Sequence, residues 1–247
     1  MSVMDITILG RNGSIQDGLS GNSSLLLSCE DSSVLIDCSS NLQEAVAKDD
    51  LKAVVLTHSH VDHLYGFPSL IHQLWLKGRK EALDVYAKPE TQEVASALLE
   101  AFHLREKKGM FDIIFKFSPS FSIFDLEVEF FDIDHVSGSI GVVFTKNGKK
   151  VVYTSDTRPI ANPKQSLIGA DLLITEASGL LSDLDVLIKK GHQSGVEAAN
   201  LAIKIKANRL LLVHLPCEET VRDAIEMQTR RVFSNASVAM TLAHYKV

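Results

Sequence analysis

The chain has 247 residues, a formal net charge of −6 and 45% hydrophobic residues, which suits one large α/β domain or two small ones with a substantial core. The acidic balance argues against a large nonspecific nucleic-acid footprint, which needs clustered Lys and Arg, and leaves a local basic patch open. No apolar run approaches the roughly 20 residues of a membrane span, and Met1-Ser2-Val3-Met4-Asp5 lacks the basic-then-apolar layout of a secretory signal, so a soluble cytoplasmic protein is the expectation.

In chain order, residues 6–9 read as a strand and 10–21 as a glycine-rich loop. Residues 24–27 and 34–36 read as two strands around an Asp31-Ser32-Ser33 turn. Asp37 ends the second; it is either a carboxylate that orients a ligand histidine or a turn aspartate. Asn41 is placed as the cap of a short helix reaching Ala47. The apolar run Ala53-Val54-Val55-Leu56 reads as a short buried strand. It delivers Thr57-His58-Ser59-His60-Val61-Asp62-His63 at its carboxyl end, where open α/β sheets place their active sites. Residues two apart on extended chain point the same way, so His58 and His60 suit one ion. The neighbours Asp62 and His63 diverge, more so if a helix starts here, and suit a second. Imidazole and carboxylate without thiolate fit a catalytic zinc better than a closed structural one. The bland alternative is a solvated polar loop.

Residues 67–76 are apolar at helical spacing, with Pro68 where a helix start tolerates it. His72 inside this helix reads as packing or surface. Residues 83–87 read as a strand. Pro89 opens a helix with Val94, Ala97, Leu98 and Ala101 on one face, and His103 at its end suits the helix dipole rather than a metal. The basic run 105–108 reads as a solvated face. Residues 113–117 and 126–133 read as strands, in a region where Phe111, Phe115, Phe117, Phe121, Phe124, Phe130 and Phe131 concentrate as core, some of them open to walling a pocket. Strands at 140–145 and 150–155 flank Asn147-Gly148, the strongest hairpin signal in the chain.

The second half repeats the architecture of the first. Residues 172–174 form a buried strand, and Ser194 with Glu197 makes a capping box that opens a helix through Ile203 and Ile205. Residues 210–213 form another buried strand, Glu218 and Glu219 start the last long helix, and 238–241 is a final short strand. Cys29, Cys38 and Cys217 lack zinc-finger spacing and read as reduced thiols. The pattern predicts a single domain of two similar halves, with two mixed sheets face to face and helices outside.

Four buried strands end in a residue able to do chemistry: His58, Asp156, Glu176 and His214. His135, just past the strand ending at Ile133, makes a fifth. In order and spacing these residues resemble the metallo-β-lactamase fold superfamily over nearly the whole chain. Leu64-Tyr65-Gly66-Phe67-Pro68, Tyr153-Thr154-Ser155-Asp156-Thr157-Arg158-Pro159, Thr175-Glu176-Ala177-Ser178 and Gly191-His192-Gln193-Ser194 resemble ribonuclease Z and its phosphodiesterase relatives.

The resemblance implies a four-layer αββα sandwich and a two-metal site. His58, His60 and His135 would hold one ion, Asp62, His63 and His214 the other, and Asp156 would bridge them. A water between the ions loses a proton near neutral pH and becomes the nucleophile. Catalysis would fall to Asp62, itself a ligand, and to Glu176 and His192. A protonated His192 held by Glu176 stabilises the charged transition state or protonates the leaving oxygen. Plainer readings are a surface strand-end acid for Glu176 and a polar residue before a helix for His192.

Asp156 and the His-x-His-x-Asp-His pattern turn the expectation away from antibiotic hydrolysis and from redox chemistry. Zinc is the default metal, with manganese, iron or cobalt as alternatives. Only one hairpin separates His135 from Asp156, where ribonuclease Z usually carries a long tRNA-gripping arm. The favoured function is therefore a phosphodiesterase acting on a small or nucleotide-type phosphodiester, RNA being the less favoured substrate and a homodimer a further expectation. The alternatives are a lactone, thioester or carboxylic-ester hydrolase with the same metals, or a metal-binding protein without turnover. Ser155 stands where such sequences often have glycine, and Cys38-Ser39 where they often have Cys-Gly or Gly.

Overall fold

Runs of aliphatic residues that bury both faces build the centre of the molecule. The computed structural model describes residues 4–30 and 32–247; Met1, Ser2 and Val3 of the N-terminal expectation, and Asp31 of the expected turn, lie outside the described residues. The first half contains β1 (Asp5–Asn12), β2 (Gly21–Asn22), β3 (Ser24–Ser28), β4 (Ser33–Ile36), α1 (Gln43–Val46), β5 (Leu51–Val55), α2 (Val61–Leu64), α3 (Phe67–Leu76), β6 (Leu83–Tyr86), α4 (Pro89–Ala101) and β7 (Ile113–Lys116). The second contains β8 (Ser120–Ile123), β9 (Leu126–Asp132), β10 (Ile140–Lys146), β11 (Lys149–Tyr153), β12 (Leu172–Glu176), α5 (Leu184–Lys190), α6 (Gly195–Lys204), β13 (Leu210–Val213), α7 (Glu219–Val232), β14 (Ala236–Val238) and β15 (His244–Lys246).

One sheet runs β15-β1-β3-β4-β5-β6-β7 with β2 beside β1, and the other runs β14-β13-β12-β11-β10-β9-β8. Both are mixed: β1/β2, β4 to β7 and β11 to β14 pair parallel, and β15/β1, β1/β3, β3/β4 and β8 to β11 pair antiparallel. Alternation of side chains then sorts the core. Leu25, Leu27, Val34, Ile36 and Val55 meet Val142, Phe144, Ile174, Leu211 and Val213 between the sheets. Leu26, Leu35 and Val54 face α1, α3 and α4 through Ala45, Leu70, Leu74 and Leu99. Leu173, Leu210 and Leu212 face α6 and α7 through Ala198, Leu201, Ala202 and Ile225. The result is the expected αββα sandwich. Each such fully buried Leu or Ile stabilises by about 1.5–3 kcal/mol over exposure. Among the described residues no helix is long and apolar enough to cross a membrane.

Several local expectations need correction. Asn41 does not cap α1: it sits at φ 51°, Leu42 holds the cap position, and the Asn41 amide donates to the Leu9 carbonyl at 2.6 Å. The buried face of α4 is Thr91, Ala95 and Leu99, with Val94, Ala97 and Ala101 exposed; a polar threonine occupies a core position, which rotates the face away from the one the apolar residues suggest. The last strand ends at Val238 rather than continuing to 241, and the chain then returns as β15 to pair with β1. Ser194 does accept from Glu197 N at 3.3 Å, but the Glu197 carboxylate takes Asn200 instead of closing the box. Phe117 and Phe124 are exposed, whereas Phe111, Phe130 and Phe131 are buried and Phe121 stacks on Tyr86 at 3.7 Å. Helix α5 and strand β8 have no counterpart among the expectations. Asn147 and Gly148 turn the β10–β11 hairpin with φ of 51° and 76°, as a primed turn requires. The three cysteines are free, Cys29 and Cys38 being buried.

Candidate active site

The chemistry-bearing residues stand where strands stop. His58 and His60 follow β5 on extended chain, His60 being the residue that precedes α2 at φ −64° and ψ 146°. Asp62 and His63 lie in the first turn of α2. Strands β11, β12 and β13 are parallel neighbours, so Asp156, Glu176 and His214 leave the same end of one sheet. His135 follows β9, the strand beside β10. Asp37, Ser155 and His214 bend away from their strands with φ of 56°, 57° and 50°. Such left-handed backbone is uncommon outside glycine and costs of order 1–3 kcal/mol each.

All seven proposed ligands come together. One donor atom from each of His58, His60, His135 and Asp156 lies within 4.8 Å of the others, as do those of Asp62, His63 and His214. Asp156 Oδ2 stands between the groups: 3.9 Å from His58 Nε2 and His135 Nε2, 3.4 Å from His63 Nε2 and 3.0 Å from His214 Nε2. Asp62 Oδ2 is 3.5 Å from His214 Nε2. His192 shares a third group with Asp156 and His214.

The far side of four rings is already engaged. His63 Nδ1 meets Asp37 Oδ2 at 2.7 Å, and His135 Nδ1 meets the Gly191 carbonyl at 2.8 Å. His58 Nδ1 meets Thr57 Oγ1 at 3.0 Å, and His214 Nδ1 meets Ser178 Oγ at 2.9 Å. Carboxylates and carbonyls only accept, so the neutral rings of His63 and His135 carry hydrogen on Nδ1 and a lone pair on Nε2. The Nε2 atoms of His58, His63 and His214, with Asp156 Oδ1, are buried and lack a hydrogen-bond partner. His60 Nδ1 faces His135 Nε2 at 3.0 Å. Unpaired buried acceptors are costly, and divalent cations satisfy several together. A donor set of nitrogen and oxygen therefore fits such ions.

The electrostatics divide the histidines into two sets. Burial holds His58, His60 and His135 below the usual imidazole range, which keeps their lone pairs available. Burial acts the same way on His63 and His214, but the Asp156 carboxylate, joined by Asp37 at His63 and Asp62 at His214, outweighs it and raises both. Burial would raise Asp156, yet the charges of His214 and His63 prevail and hold it well below the carboxylate range. At Asp62 the nearby His214 and the charge of His63 likewise overcome burial.

Asp37 is fully buried and takes the orienting role rather than that of a plain turn residue. It accepts from His63, from Thr57 N at 2.8 Å and from Thr57 Oγ1 at 2.9 Å. Glu176, also fully buried, accepts at Oε1 from His192 Nδ1 at 3.2 Å and from Thr157 N, and at Oε2 from Ser178 Oγ at 2.6 Å. The His192 ring lies 5.2 Å from that of His214 and nearly parallel to it.

Thr57, Ser178 and Ser14 carry contacts that the sequence reading does not assign. Thr57 and Ser178 stand within two residues of a strand-end histidine or acid, a spacing that could have flagged them. Ser14 donates to Asp62 Oδ2 at 2.9 Å across 48 positions, which no local pattern announces. Two glycines let the backbone approach these rings: a Cβ at Gly13 would sit 3.0 Å from the His214 ring, a tight contact, and one at Gly191, where φ is 91°, would sit 2.5 Å from His135 Nδ1, a clash. His72 stacks on Trp75, and His103 is exposed beside Glu106; both lie outside the cluster, as anticipated.

Comparison with known proteins extends this picture. Ribonuclease Z of Methanothermobacter thermautotrophicus is 24% identical over 298 residues, spanning 99% of this chain and 97% of its own. The metallo-β-lactamase fold protein YhfI from Bacillus subtilis superposes with a TM-score of 0.81 at 24% identity over the whole of both chains. The short form of human tRNase Z superposes with a TM-score of 0.78 at 22% identity over 98% of each. Residues 32–215, which take in every strand end of the cluster, match the model of the Beta-lactamase superfamily domain, and the chain belongs to that superfamily.

Proposed function

We propose that the chain is a metal-dependent phosphodiesterase in which His58, His60 and His135 hold one divalent cation, Asp62, His63 and His214 hold a second, and Asp156 serves both. Zinc is the ion proposed, and manganese, iron or cobalt would find the same donors acceptable. The observation that carries the reading is the set of buried, unpartnered Nε2 atoms of His58, His63 and His214 around Asp156. Bound divalent cations supply Lewis acidity and lower the pKa of water at the site.

The chain's own residues supply the rest. Asp37 and Thr57 fix the rings of His63 and His58. Glu176 holds His192 by Nδ1, which leaves Nε2 to deliver a proton to the leaving oxygen of a phosphodiester or to stabilise charge growing on its phosphoryl oxygens. The substrate proposed is a small or nucleotide-type phosphodiester. Support for that preference over RNA is the short path from His135 to Asp156, filled by the β10–β11 hairpin. The match to ribonuclease Z also runs over 298 positions against a chain of 247, so many residues of that relative have no counterpart here.

The test compares bis-p-nitrophenyl phosphate with p-nitrophenyl acetate and a lactone, using the full chain with added zinc or manganese. Preferential turnover of the phosphodiester supports the reading; preferential turnover of the ester or lactone replaces it with a carboxylic-ester hydrolase. Cleavage of a 3′-extended tRNA precursor faster than the small phosphodiester would overturn the substrate preference.

A further inference from the structure

One carboxylate serves two parts of the site. Glu176 Oε1 takes His192 Nδ1 at 3.2 Å, Glu176 Oε2 takes Ser178 Oγ at 2.6 Å, and Ser178 Oγ lies 2.9 Å from His214 Nδ1. The positions of the hydrogens follow from elementary chemistry. A serine hydroxyl has one hydrogen to give. Two acceptors compete for it: Glu176 Oε2 and the His214 carbonyl at 3.3 Å. The nearer and charged acceptor takes it. Ser178 Oγ is then an acceptor toward His214, so the ring hydrogen of His214 sits on Nδ1. In the neutral ring that a cation requires, the lone pair is then on Nε2, beside Asp156 Oδ2 at 3.0 Å and Asp62 Oδ2 at 3.5 Å.

We propose that Ser178 is a positioning residue that fixes the ring hydrogen of His214 on Nδ1, thereby setting the affinity of the second cation site, and ties that site to the carboxylate holding His192. The proposal rests on the two-cation reading above. Removing only the hydroxyl isolates the role. Glu176 keeps Thr157 N, His192 Nδ1 and Gln193 N as donors. The Ser178 backbone keeps its bond to the Gln193 carbonyl at 3.0 Å. Among the described residues His214 Nδ1 has no hydrogen-bond partner other than Ser178. In Ser178→Ala the two ring tautomers are therefore free to exchange, and one of them turns an N–H toward the cation.

The experiment titrates the metal-stripped full chain with Zn2+ by calorimetry, comparing wild type, Ser178→Ala and Ser178→Thr. The step lost in Asp62→Ala marks the second site. Ser178→Ala is expected to weaken that step alone, by roughly 10–100-fold, and Ser178→Thr, which restores a hydroxyl, to recover it. Two-bond 1H–15N correlation spectra of the zinc-loaded chain should show His214 protonated at Nδ1 in wild type and in the threonine variant. An unchanged second step in Ser178→Ala, an equal weakening of both steps, or no recovery in Ser178→Thr overturns the proposal while leaving two ions bound to wild type. Wild type that takes up fewer than two ions overturns the two-cation reading itself, and this proposal with it.

Discussion

Asp37 shows how a single buried side chain can organise a centre it does not enter. It accepts the ring hydrogen of His63 and the hydroxyl hydrogen of Thr57, whose oxygen in turn faces His58. One carboxylate thus orients a ligand from each proposed cation site. Asp37→Asn swaps one of those acceptor oxygens for an amide donor. It should lower metal affinity by about 10–100-fold, read by titration against a chromophoric chelator. His192 is a different case, because it touches the cluster while its loss leaves every proposed ligand in place. His192→Ala should cut kcat on bis-p-nitrophenyl phosphate by roughly 10²–10⁴-fold with metal content per chain unchanged. Full activity in that variant would remove the proton-delivering role.

At the scale of elements, the strand ends and the chemistry-bearing residues after them were legible because they follow from local chemistry, whereas their grouping into two cation sites came from the family resemblance. Aliphatic runs such as Leu210–Val213 bury both faces, and a polar residue directly after one must lie at the sheet edge. The hydroxyl partners were less legible: Ser14 with Asp62 and Thr57 with Ser155 meet only after the fold has closed. The α4 face was misjudged because Thr91 is buried, and residue type alone does not show which polar residue the core will accept. Helix α5 ends on Gly191 in the left-handed region at φ 91°, with Lys189 and Lys190 in its last turn, a standard helix stop. That glycine does more than end a helix, since its carbonyl holds His135. Gly191→Ala brings a Cβ against His135 Nδ1 and forces a strained φ. The variant should lose about 1–3 kcal/mol of stability, measured by urea denaturation, and bind the first cation more weakly.

At the scale of the whole molecule, the cluster joins two sheets: His58, His60, Asp62 and His63 come from the end of one, and His135, Asp156 and His214 from the other. Cations bound at that seam, as proposed, would act as ligands of the folded state only. Each free ion held at 100 times its Kd should add about 2.7 kcal/mol. Treatment with EDTA should therefore lower the Tm, and zinc should restore it. A Tm indifferent to chelator would contradict a centre that spans both sheets.

The return of β15 to β1 has a consequence for how the protein is made. Asp5 pairs with Lys246 and Ile6 with Tyr245, so an early strand waits for one that is translated after every other described element. Until then the outer flank of β1 is an open template for foreign strands, and the nascent chain is exposed to mispairing on the ribosome. A stalled chain ending at Leu242 should accordingly be captured by chaperones and cut readily by protease, whereas the released chain should resist both.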